Sequence, residues 1–186
     1  GVVGDLTPTL WRSNYRLLLK LIQEKRNGIW AYILRNQAQP LLLAQRKFDV
    51  IVGNPPWLSY RFIKSRTYQS EIKTLYQRYR LLESDDVKLF TQMDLSTLFF
   101  AHARERYRKP EGTIAFVMPR TVITGAKQHR AFQAQGLTRI IDFKEVTPLF
   151  NVETCITIQS GNVLHANNVP TIRYSGRLPT HEITLS

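Results

Sequence analysis

The sequence predicts an α/β fold, and three observations carry that prediction. FDVIVG (48–53) and TIAFVM (113–118) are almost uniformly apolar runs bounded by Pro and Gly, as strands of a parallel sheet buried on both faces are. Between them Leu95, Leu98, Phe99, His102, Ala103 and Tyr107 fall on one face of a helix. Downstream the alternation continues, giving strand, helix, strand, helix, strand, the order of an α/β sheet.

Taken in order, Tyr15, Leu18, Leu19 and Ile22 recur at helical spacing, and Asn27 and Gly28 interrupt the pattern before Ile29, Trp30 and Ile33 resume it. This predicts two helices or one broken one, stopped by Pro40. The strand FDVIVG follows. From Arg61 to Arg80 the composition turns to Arg, Lys, Gln and Tyr, predicting an exposed basic segment that is partly helical. The helix from Leu95 ends in the stop signal Lys109, Pro110, Glu111, Gly112, and the strand TIAFVM comes directly after it. Past Pro119 come a polar turn, a short helix around Lys127 to Ala134, the strand TRIIDF, a turn at Pro148 and a fourth strand, TCITIQ. From Gly161 onward Asn, Gly, Pro and Thr dominate and the one strand-like run is TIRY. Residues 161–186 therefore read as a linker or the start of another domain.

With 186 residues and 43% hydrophobic composition, the chain suffices for one globular domain with a core. No apolar stretch approaches 20 residues and no secretory signal is visible, which predicts a cytoplasmic protein with no membrane partner. The single cysteine, Cys155, lies in an apolar run and is expected simply to pack. Charge is the strongest bulk signal: 26 Lys plus Arg against 14 Asp plus Glu give +12. Such a surface predicts a polyanionic partner, nucleic acid above all. The four histidines and the cysteine show no ligand spacing, so no metal site is expected. Asp85, Asp86 and Lys88 resemble half of a nuclease pairing, but no strand pattern or earlier acid completes it. His102 is expected to be a core or helix-face histidine.

The chemistry concentrates where FDVIVG ends on Asn54, Pro55, Pro56 and Trp57. Open α/β sheets bind ligands outside the carboxyl ends of their strands, so the position suits a site. Two successive prolines fix the backbone and remove its donors, making a stiff corner. The Asn54 amide oxygen and a neighbouring backbone carbonyl offer two acceptors, which matches an exocyclic amino group with two hydrogens. Trp57 adds a flat surface for stacking a base. The amino nitrogen of adenine is a poor nucleophile because its lone pair is delocalised. Holding both hydrogens favours the pyramidal nitrogen whose lone pair can attack an in-line methyl group. A base inside a duplex has to be flipped out to reach such a corner.

FDVIVGNPPW resembles the catalytic motif of the amino-group DNA methyltransferases: Asn or Asp, Pro, Pro, aromatic at the end of the fourth sheet strand. Asp94-Leu95 opening a helix, then KPEGTIAFVMP, then IIDFKEVTPLFNVETCITI, continues the resemblance to adenine-N6 methyltransferases of the restriction-modification kind, over roughly residues 40 to 160. The resemblance implies a Rossmann-like methyltransferase sheet, here its C-terminal portion of strands four to seven, mostly parallel with an antiparallel last strand. It implies S-adenosyl-L-methionine as cofactor and double-stranded DNA as partner. Catalytic roles would fall on Asn54, Pro55, Pro56 and Trp57, with Trp57 stacking on the flipped base and Phe150 contacting its other side.

Cofactor contacts would fall on Asn54 and on Asp5 in VVGDL, and phosphate contacts on Arg61, Lys64, Arg66, Lys127 and Arg130. A second basic segment, Arg104 to Lys109, is also available. The family's glycine-rich turn should precede residue 48, and no Gly-x-Gly occurs there. The expectation is therefore a partial methyltransferase domain over residues 1–160, with residues 161–186 a linker or the start of a target-recognition domain. The remainder of the enzyme would be its partner, and the FDVIVG strand would have an open edge. Three alternatives stay open: an RNA-base methyltransferase, a protein-glutamine methyltransferase, and a non-catalytic nucleic-acid-binding fragment.

Overall fold

The computed structural model describes residues 8–24, 43, 45–82, 89–124, 127–147, 149–161 and 168–178. The chain divides into two units, Gly1–Arg46 and Lys47–Ser186. In the first unit helix α1 spans Pro8–Gln23. Proline suits the opening position because the first turn leaves its N–H groups unpaired in any case. The helical stretch expected at Ile29 to Ile33 lies outside the described residues.

The second unit is built on a five-stranded sheet. Its strands are β1 (Phe48–Gly53), β2 (Arg108–Pro119), β3 (Arg139–Thr147), β4 (Thr154–Ser160) and β5 (Thr171–Arg177), in the spatial order β1-β2-β4-β3-β5. β1 runs parallel to β2 and β3 parallel to β5, while β4 lies antiparallel between β2 and β3. The sheet is thus mixed and mostly parallel, with the TCITIQ strand reversed as expected. The TIRY run becomes β5, which extends the same sheet at the β3 edge. Its residues are all exposed, so backbone pairing, helped by Tyr174 stacking on Phe143 at 5.7 Å, holds it there.

Among the described residues three α-helices accompany the sheet: α2 (Arg66–Arg78), α3 (Leu95–Tyr107) and the short α4 (Arg130–Gln133). Ser65 caps α2 by accepting from the Tyr68 N–H, and Asp94 caps α3 by accepting from the Ser96 N–H at 2.9 Å. α2 buries Ile72 and Tyr76 and leaves its Lys and Arg side chains outward, as an exposed basic segment with one apolar stripe would. The core joins these helices to the sheet: the Phe100 ring meets Phe116 of β2 at 5.6 Å and Phe132 of α4 at 5.3 Å. Cys155 is fully buried in this core, and burial pushes its thiol up to about 12, so it packs as an inert neutral group.

Two local expectations are corrected. β1 is not buried on both faces: Ile51 packs on the core, but Val50 and Val52 are 63% and 74% exposed. The reason is layering: among the described residues the core covers one face of β1, and alternate side chains fall on the other. On α3, Phe99 is exposed and Phe100 buried. That helix buries Leu95, Ser96, Thr97 and Leu98 in succession, so no single stripe describes it. The helix ends at Tyr107, just before the KPEG segment as expected, and that segment already belongs to β2, which follows without a loop. Gly112 is needed there because a Cβ would stand 2.8 Å from the Asp49 carbonyl oxygen.

Candidate functional site

β1 delivers its last residues to the carboxyl edge of the sheet, and the Asn54-Pro55-Pro56-Trp57 corner begins there. Gly53 ends the strand in contact with Phe116, whose ring leaves no ordinary room for a Cβ: the nearest atom would be 3.0 Å away. Beyond it Asn54 and Pro56 are exposed and Pro55 is buried. This places the amide outward on a corner whose proline is anchored. Trp57 is half-buried, and its indole N–H donates to the Val117 carbonyl of β2 at 3.2 Å. The ring is therefore pinned by the neighbouring strand.

Past the corner the chain is clamped to the start of α3. The Tyr60 N–H donates to the Met93 carbonyl and the Leu95 N–H to the Leu58 carbonyl, each at 2.9 Å, and Ser59 and Asp94 form an isolated bridge. The Asp94 carbonyl also accepts from the Tyr76 and Thr97 hydroxyls. This backbone knot fixes the exit of the corner as the prolines fix its entry.

The structure brings Phe150 to Trp57, although 93 positions separate them: their ring centroids are 5.0 Å apart with planes at 65°. Phe150 belongs to segment 149–153, whose residues are all exposed. The far end of that segment is held by Arg120, the residue after β2. The Arg120 N–H donates to the Glu153 carbonyl at 2.8 Å, and its guanidinium lies 3.4 Å from the Glu153 carboxylate. The same guanidinium forms a fork on Asp142 of β3, with Nε to Oδ1 at 2.9 Å and Nη2 to Oδ2 at 3.2 Å. Burial alone would raise the Asp142 carboxyl. Arg120, the Lys144 N–H and Arg173 outweigh it and hold the group below its ordinary range.

The phosphate candidates are placed as follows. Arg61, Lys64 and Arg66 are exposed on the turn that follows the corner and opens α2. Lys127 and Arg130 are exposed on the turn that enters α4. The two turns face one cleft of about 200 Å³, to which Ser59, Arg61, Asp94, Gln128 and the buried His129 contribute. Asp5 lies outside the described residues, as do Asp85, Asp86 and Lys88. His102 is half-buried, its Nδ1 2.8 Å from the Tyr79 hydroxyl, and burial lowers its pKa below the usual imidazole value. Among the described residues no cluster of His, Cys, Asp or Glu could hold a metal ion.

Sequence reasoning missed Arg120, Asp142 and His129. Arg120 and Asp142 lie 22 positions apart with no periodic relation, and His129 fell within the expected short helix of Lys127 to Ala134 with nothing to mark it. The corner offers two acceptors, the Asn54 amide oxygen and the Pro55 carbonyl, on a rigid turn with two aromatic rings beside it. Asn54 is the one proposed cofactor contact that it includes. No described helix is long and apolar enough to cross a membrane.

Among solved structures the chain is similar to the ATP-dependent Type ISP restriction-modification enzyme LlaBIII bound to DNA. The TM-score is 0.53 at 13% identity, covering 74% of this chain and 11% of that one. It is also similar to a nuclease-deletion mutant of the Type ISP restriction-modification enzyme LlaGI in complex with a DNA substrate mimic. There the TM-score is 0.50 at 14% identity, covering 77% of this chain and 13% of that one. At such identities the likeness shows the fold alone, and the chain spans a small part of either enzyme. Curated proteins give no match. Residues 7–150 match the model of the Eco57I restriction-modification methylases. That match spans well over half of the sequence, follows the sheet from β1 through β3 and takes in both the corner and Phe150, so the chain belongs to the Eco57I restriction-modification methylase family.

Proposed function

We propose that this chain supplies the target-base half of an enzyme that methylates the N6 amino group of adenine in double-stranded DNA, in a restriction-modification setting. The observation that carries this reading is the Asn54-Pro55-Pro56-Trp57 corner at a strand end with the Phe150 ring 5.0 Å from Trp57. The Asn54 amide oxygen and the Pro55 carbonyl accept the two amino hydrogens, which orients the nitrogen lone pair outward. Trp57 and Phe150 form the walls against which the extruded base rests. S-adenosyl-L-methionine, when bound, supplies the methyl group from its sulfonium, and Asn54 is the described residue that would contact it. No strong base is required, because the amino proton becomes acidic once the nitrogen is alkylated.

The two walls now touch each other. A base stacked on both needs two contact distances of about 3.5 Å between parallel planes, so the rings part to about 7 Å and turn from 65° toward parallel to admit it. The +12 charge and the exposed turns at Arg61–Arg66 and Lys127–Arg130 supply the phosphate attraction that brings the duplex to the corner. The test is transfer of labelled methyl groups to unmethylated DNA by the full-length parent protein, with products digested to nucleosides. Label on adenine N6 that disappears in the Asn54→Ala variant while DNA binding stays within about twofold is the expected result. Equal label from Asn54→Ala, or label on cytosine, on RNA or on protein, overturns the reading.

A further inference from the structure

The cleft of about 200 Å³ beside the corner has a chemistry of its own. It opens at the carboxyl edge of the sheet, between the turn after Trp57, the start of α3, the turn after β2 and the start of α4. Its lining is unlike the rest of this basic surface. Gln92, Thr121 and Gln128 offer neutral donors and acceptors, and the Asp94 carboxylate that caps α3 shares the lining with one cation, Arg61. A phosphate site would gather cations and exclude a carboxylate, so an anion is a poor occupant. His129 lines the same cleft at 2% exposure, and its Nδ1 has no hydrogen-bond partner among the described residues. Burial lowers its pKa, so the ring is neutral near pH 7 and can donate from one nitrogen and accept at the other. A buried polar atom without a partner is costly unless something fills the site.

The location narrows the occupant. Ser59 stands two residues beyond Trp57, so their Cα atoms are at most about 7 Å apart. An extruded base leaves the stack but stays tied to its neighbour through a single phosphodiester, so the nucleotide next to a base on Trp57 is tethered beside the cleft. Neutral side chains that offer donors and acceptors side by side are what the edge of a nucleobase demands: amides bind bidentately to adenine, and carboxylates accept from the amino group of cytosine.

We propose that the cleft of Ser59, Gln92, Asp94, Thr121, Gln128 and His129 takes the edge of the nucleotide next to the target adenine, making the catalytic domain itself a reader of flanking sequence. This rests on the target-base reading above. Arg61 at the rim holds the intervening phosphate, and the neutral interior discriminates among bases. Gln92 is exposed, so replacing it leaves the core untouched.

The test uses the full-length parent protein on a pool of duplexes in which the bases around the methylated adenine are randomised. Modified molecules are sequenced to give the preference at each position. The expected result is a base preference at one position adjacent to the adenine that falls by roughly tenfold in the Gln92→Ala, Gln128→Ala double variant, with preferences at remote positions unchanged. The single variant Gln128→Glu, which keeps the shape and loses the amide donors, should shift the adjacent preference toward bases that present an amino group. Identical adjacent preferences in wild type and both variants overturn the cleft proposal and leave adenine methylation standing. Absence of adenine methylation in the wild type overturns both readings together.

Discussion

Replacing Arg120 by methionine tests the device that ties the Phe150 segment to the sheet. Asp142 is 2% exposed, and Arg120 covers both its oxygens at 2.9 and 3.2 Å. Removing one partner of such a pair strands the other charge, at a typical loss of about 3–5 kcal/mol. Two contacts survive here, the Lys144 N–H at 3.1 Å and the exposed Arg173 at 3.4 Å, so the lower end, about 3 kcal/mol, is expected. That is a large share of the 5–15 kcal/mol of an ordinary domain. The assay is urea unfolding of wild type, Arg120→Met, Asp142→Asn and the double variant at pH 7 and again near pH 3. The double variant should recover much of the loss, because it removes the stranded charge. The pH dependence has a definite sign. Asp142 titrates lower in the folded protein than its unfolded value of about 3.9, so its contribution is complete above that value and fades as pH falls through the folded one. The Arg120→Met penalty should therefore shrink in acid. A penalty below about 1 kcal/mol at pH 7, or the same penalty at both pH values, would refute the reasoning.

Three further outcomes follow from the geometry. Trp57→Ala should weaken binding of an extruded base by about 1–3 kcal/mol, read from the fluorescence of 2-aminopurine at the target position; an unchanged signal counts against the stacking role. Gly112→Ala should destabilise the fold by roughly 1–3 kcal/mol in urea melts, because the new Cβ meets backbone oxygens at 2.8 and 2.9 Å that belong to β1 and cannot turn aside. DNA affinity should fall steeply with salt, and the double variant Arg61→Ala, Lys64→Ala should flatten the slope of log K against log salt by about 1.8. A slope that does not change removes those two side chains from the phosphate contacts.

Much of this architecture was legible because it is written locally. Apolar runs bounded by Pro and Gly marked β1 and the middle of β2, and two prolines after an amide marked the corner. What stayed hidden depends on layers and edges. Val50 and Val52 look like core residues in the sequence, yet among the described residues the core covers one face of the strand that carries them, so half its apolar character faces outward. β5 was faint because all its residues are exposed, and a strand held by backbone pairing needs no apolar alternation. Phe99 and Phe100 are adjacent, and α3 has buried positions on so many sides that periodicity could not choose between them. The approach of Phe150 to Trp57 was expected from resemblance to a family and from no spacing in the chain, whereas Arg120 and Asp142 carried no signal at all.

The two aromatic walls are not equivalent, and the difference says which one yields to a base. Trp57 follows two prolines and spends its indole N–H on the Val117 carbonyl, so rotating it breaks a hydrogen bond and works against a rigid corner. Phe150 has no such polar anchor on its ring, stands 47% exposed and lies on a segment whose described attachment is three residues away at Glu153. The rings meet at 65°, so a sandwiched base demands both a separation of about 7 Å and a turn of one ring toward parallel, and both are cheaper on the Phe150 side. The base would then stack on a fixed indole while Phe150 moves aside and closes over it, with Arg120 setting how far the segment can travel. On the proposed reading, methyl transfer depends on the angle between the amino nitrogen and the incoming methyl group, and the wall that does not move sets that angle.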